Sequence, residues 1–117
     1  MLSFINTSDD LNQRIRTIVP VDGKNIELVI KLRWYEVVGK WFMSVFDDQE
    51  NPIIQNVPLL LGVTFPSANL LRAVSYKKVG CAYVYPLVEN PSTPNPGRDN
   101  FGIDKEFALK WGDTDDR

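Results

Sequence analysis

The residues best able to do chemistry in this chain are carboxylates, gathered at Asp47, Asp48 and Glu50 directly after the aromatic run Trp41-Phe42-Met43-Ser44-Val45-Phe46. Carboxylates this close suit a hard cation such as Ca²⁺ or Mg²⁺, or an acid/base pair. An EF-hand loop also needs a glycine at its sixth position and a distal bidentate glutamate, and neither follows. Asp48-Gln49-Glu50-Asn51-Pro52 has turn composition, with Asn51 pushed towards extended geometry by the proline after it. The sequence therefore reads this cluster first as a solvated turn, and only second as a metal or catalytic site. A further acidic group, Asp113, Asp115 and Asp116, falls in a terminal tail where a rigid site is not expected.

The chain has no histidine, which removes the commonest general base and the commonest metal ligand together. A Ser-His-Asp triad is excluded, and one cysteine with carboxylates makes a poor zinc set. Cys81 has no second cysteine to pair with and no imidazole to activate it, so it reads as a small buried filler within Val79–Tyr85. Gly97-Arg98-Asp99-Asn100-Phe101-Gly102 does not lead from a strand into a helix, as a phosphate cradle requires. The expectation is no enzyme, no cofactor and no metal.

Thirteen basic and fifteen acidic residues give a net charge of −2, so no overall positive field draws in a phosphate backbone. Arg14, Arg16, Lys31, Arg33, Lys77 and Lys78 would make a basic stripe if they shared a face, with Trp34, Tyr35 or Tyr85 for stacking. Interleaved acidic residues favour charges simply turned to solvent. The apolar runs Val57–Val63 and Val79–Val88 are far shorter than the ~20 residues that span a bilayer. The N-terminus lacks the basic and apolar regions of a secretory signal. Neither nucleic acid nor membrane is an expected partner, and synthesis in a reducing cytoplasm is the default.

The elements that must position these residues read as strands. Lys24 to Tyr35 alternates, with Ile26, Leu28, Ile30, Leu32 and Trp34 on one face and Glu27, Lys31, Arg33 and Tyr35 on the other. Asp22-Gly23 before it predicts a tight hairpin with the strand ending near Val19-Pro20. Lys40 to Phe46 and Ile53 to Val57 are further strands, the first carrying bulk on both faces. Ser67–Ala73 predicts at most one short helix, capped by Ser67. Val79 to Val88 and Lys105 to Trp111 complete about six strands, and the small Gly80 and Ala82 invite close approach by a neighbouring sheet or a second chain. Between them residues 89–104, with Pro91, Pro94, Pro96, Gly97 and Gly102, form a long loop.

The predicted fold is all-β and mainly antiparallel, a small barrel or sandwich. Residues 1–11 would be an N-terminal extension, 12–112 one domain and 113–117 an acidic tail. The aromatic excess exceeds what one strand face needs, so part of it is expected at a protein interface.

Three segments resemble the baseplate plug family of contractile-tailed bacteriophages and related tail-like particles. IELVIKLRWYEVVGKWFMSVFDDQENPII is similar to its extended strand, Trp-bearing hairpin and acidic Asn-Pro turn. VPLLLGVTFPSANLLRAVSY carries Pro58, Leu59, Gly62, Leu70 and Leu71 at matching positions, and RDNFGIDKEFALKW resembles the closing motif through Asp99, Asn100, Phe101 and Gly102. The likeness covers residues 24–111, with Phe101 where the family tends to Leu. It implies a non-enzymatic structural protein at the centre of the virion tail baseplate, beside hub and spike, which helps close or organise the tail lumen. Hub and spike proteins would be its partners, with the tape measure a further candidate, and it would be oligomeric in the assembly. The expected contact residues are Trp41, Phe42, Phe46, Arg98, Asp99, Asn100 and Phe101. The rival reading is a barrel that binds oligosaccharide or single-stranded nucleic acid on exposed aromatics.

Overall fold

The hairpin-rich pattern becomes two antiparallel sheets in the computed structural model, which describes residues 3–5, 7, 11–60, 69–71, 74, 79–89, 91–93, 95–102 and 105–113. The strands are β1 (Ser3–Phe4), β2 (Asn12–Val21), β3 (Lys24–Tyr35), β4 (Lys40–Phe46), β5 (Pro52–Pro58), β6 (Cys81–Pro86) and β7 (Phe107–Gly112). One sheet has the order β2-β3-β4-β5 and the other β1-β7-β6. Six strands are of substantial length, as the sequence predicts. Among the described residues no pairing joins the two sheets, which pack face to face as a sandwich. The helical turn expected at Ser67–Ala73 lies mostly outside the described residues, as does most of the tail 113–117.

The long hairpin β2–β3 forms because its turn chemistry and its alternation agree. Asp22 and Gly23 have φ of 53° and 82°, the paired positive values of the tight turn that matches strand twist. Register then runs unbroken from Val21↔Lys24 to Asn12↔Arg33. The β3–β4 turn is closed by Gly39, at φ 72°, whose N–H donates to the Tyr35 carbonyl at 2.8 Å. Between β4 and β5 the register shifts at a bulge, where Asn56 (φ 57°) donates its N–H to Ser44 Oγ at 3.0 Å. This bulge and the terminal prolines of β5 blunt an edge that would otherwise template further pairing.

One core lies between the sheets. Leu28, Ile30, Leu32, Trp41, Met43 and Val45 enter it from the four-stranded sheet, and Ala82, Val84, Phe107, Leu109 and Trp111 from the three-stranded one. Burying a Trp or Phe removes roughly 150–250 Å² from water, about 4–6 kcal/mol before ordering costs. Residues 1–11, set apart in the sequence, contribute β1, paired with Trp111 and Lys110, and the buried Ile5.

The close approach expected at Gly80 comes from β7. Trp111 donates its indole N–H to the Val79 carbonyl at 2.9 Å, and a Cβ on Gly80 (φ 96°) would sit 2.5 Å from the Gly112 oxygen. Asn69 covers the free edge of β6, its side-chain oxygen accepting from the N–H groups of Leu71 (3.0 Å) and Ala82 (3.1 Å). Cys81 is buried.

Candidate functional site

Two surfaces gather the contact residues expected from sequence. The first is the long loop between β6 and β7, which is tied together by side chains. Asn100 accepts a hydrogen bond from the Gly97 N–H at 2.6 Å and donates to Thr93 Oγ1 at 2.9 Å and to Glu106 Oε2 at 2.8 Å. Glu106 also accepts from the Ser92 N–H (2.9 Å) and the Ser92 hydroxyl (2.6 Å). The hydrogen bonds from Ser92 and then Asn100 hold the Glu106 carboxyl below the usual glutamate range. Donors that converge on a carboxylate favour its charged form, so the loop keeps an internal anion as its fastener.

Trp41 fastens the same loop to the other sheet. Its indole N–H donates to the Gly97 carbonyl at 2.7 Å, and its ring lies 5.3 Å from Phe101 and 5.9 Å from Trp34. Trp41 is 1% exposed and Phe101 3%, so both hold the loop chiefly from inside. Arg98 and Asp99 are exposed. Together with Trp41, Phe101 and Lys105 they line a cleft of about 250 Å³.

The second surface is the outer face of the four-stranded sheet. Phe42 and Phe46 lie there half-buried, as does Tyr35, which meets Phe42 edge-on at 4.9 Å. Lys31 lies over the Phe46 ring at 4.7 Å and Arg33 over Tyr35 at 5.0 Å. Arg14 pairs with Glu50, and Arg16 with Glu27 at 3.2 Å. The hydrogen bond from Arg14, then its charge, pulls the Glu50 carboxyl below its usual range. Four of the cations considered as a stripe thus share one face, because β2 and β3 pair Arg14 with Lys31. Lys77 and Lys78 lie outside the described residues.

The acidic cluster is a turn. Asp47 Oδ1 accepts from the N–H groups of Gln49 (2.9 Å) and Asn51 (2.8 Å), while Glu50 reaches Arg14. No group of three or more His, Cys, Asp or Glu comes together among the described residues. Sequence reading held Ser92 and Thr93 only as members of the loop 89–104 and placed Lys105 and Glu106 in the last strand, which begins instead at Phe107. Their contacts depend on how the loop folds back.

The structure therefore supplies a β sandwich with a loop cross-linked by its own side chains and a cation-aromatic sheet face. No curated protein matches the chain. A family model described as the cyanophage baseplate plug, Pam3 plug gp18, matches residues 3–114, nearly the full length. That match and the β architecture agree with the resemblance carried by the strand, Pro-Leu and Asp-Asn segments, and the chain belongs to this phage baseplate plug family.

Proposed function

We propose that the chain is a non-enzymatic structural part packed near the central hub and spike of a phage tail baseplate, where it helps close or organise the tail lumen. Membership of the plug family over residues 3–114 is the observation that carries this reading. The loop agrees with it. A segment already ordered by Asn100, Glu106 and Trp41 loses little entropy when it meets a neighbour, so Arg98 and Asp99 present a preorganised contact. Its partners are hub and spike proteins, its copies are several, and it is made in the host cytoplasm before joining the virion.

The test is electron cryomicroscopy of tails assembled with a tagged chain, with density expected on the axis of the baseplate. Density confined to the sheath or collar end overturns the reading. Arg98→Ala with Asp99→Ala, which leaves the core untouched, is expected to reduce incorporation; unchanged incorporation removes the loop from the interface.

A further inference from the structure

We infer that the outer face of the four-stranded sheet docks an acidic protein segment that carries an apolar side chain. The inference rests on the structural reading above and goes beyond it by naming the surface and the chemistry of its partner. Charge is distributed unevenly: the chain carries net −2, yet Arg14, Arg16, Lys31, Arg33 and Lys40 lie on this face and outnumber Glu27, Glu50 and the neighbouring Asp48.

Two of these cations matter most. Arg14 and Arg16 already have hydrogen-bonded carboxylate partners, whereas Lys31 lies over the Phe46 ring and meets Glu50 only through its charge, and Arg33 lies over Tyr35. Lys31 stands directly opposite Arg14 across the β2–β3 ladder, and Glu50, bonded to Arg14, offsets the like charges there. Lys31 and Arg33 keep their own N–H groups for an incoming carboxylate, which would gain charge-assisted hydrogen bonds from them. At the end of the same face Tyr35, Val38, Phe42 and Asn56 line an open cleft of about 240 Å³, beside the fully exposed Val37. That notch accepts an apolar anchor while the cations hold the acidic groups next to it.

A nucleic-acid strand fits the same face less well. The Tyr35, Phe42 and Phe46 rings are already engaged by cations or by each other rather than open for base stacking.

The experiment uses the full chain co-assembled into tails, comparing wild type with Lys31→Glu/Arg33→Glu. The Lys31→Glu change puts a carboxylate opposite Arg14, and a melting curve matching wild type is the control for folding. Incorporation per tail is expected to fall about tenfold or more. Lys24→Glu, at the exposed β2–β3 turn, makes the same kind of charge change and is expected to incorporate normally. Suppressors that restore assembly are expected to replace Asp or Glu by Lys or Arg in another baseplate chain.

Equal incorporation of wild type and the double variant overturns the inference while leaving the baseplate role intact, whereas a wild-type chain that never enters tails overturns the baseplate role itself. Two further results overturn the inference by naming another occupant. One is a labelled single-stranded oligonucleotide bound at about 0.15 M salt, where the Debye length is about 8 Å, by wild type and not by the double variant. The other is self-association in sedimentation that the double variant abolishes.

Discussion

Two polar loops of this molecule solve the same problem over different distances. The turn after β4 satisfies its backbone within five residues, with Asp47 accepting from Gln49 and Asn51. The loop before β7 reaches from Ser92 to Glu106 and is fixed to the opposite sheet by the Trp41 indole. Each holds a glutamate whose acidity is raised, Glu50 by Arg14 and Glu106 by hydrogen bonds from Ser92 and Asn100. A turn closed by its own residues survives changes elsewhere, whereas a loop closed by the core is as secure as the core. The second kind can display a partner surface rigidly, and the first cannot extend far enough to do so.

The largest effect that sharpens this contrast comes from Trp41→Ala. It empties a site that is 1% exposed and removes the bond to Gly97, so urea unfolding is expected to show a loss of about 3–5 kcal/mol. Hydrogen exchange should quicken in residues 92–106 and leave the 47–51 turn unchanged; equal quickening in both turns breaks the distinction. Asn100→Ala comes next, at about 2 kcal/mol, because three side-chain hydrogen bonds are lost at a partly buried position. Asp47→Ala should cost about 1 kcal/mol, with exchange changes confined to its own turn.

The smallest effect is ionic. Both glutamates have depressed folded-state pKa values, so the stability each contributes is complete above the ordinary glutamate pKa. It is lost as pH falls through the lower folded value. Raising salt to 1 M, where the Debye length is about 3 Å, should lift the Glu50 pKa towards its ordinary value and move Glu106 little. Glu50 is held by an ion pair that salt screens, and Glu106 by neutral donors that it does not. Side-chain carboxyl titration by NMR reads both, and equal salt shifts contradict the assignment of causes.

Short-range features were legible in the order of the residues. Asp22-Gly23 gave its hairpin, the alternation from Ile26 to Trp34 gave β3, and the breakers from Pro91 to Gly102 gave a loop. Asp47 to Pro52 read as a turn, and the hydrogen bonds of Asp47 are those of a turn. The expected contact residues divide by burial. Arg98 and Asp99 are exposed, Phe42 and Phe46 are half-buried, and Trp41 and Phe101 lie within the core. Glu106 was illegible because its role depends on Ser92, fourteen positions away along the chain.

Sequence by itself determined that β4 alternates and that both of its faces carry bulk, since side chains of a strand must point to opposite sides. It could not say which face is the interior. That was decided when the three-stranded sheet closed over Trp41, Met43 and Val45, leaving Phe42 and Phe46 beside Lys31 and Arg33. Alternation is a property of the backbone, but burial belongs to whatever packs against it, and here that partner arrives chiefly from a distant part of the chain, Cys81 onwards.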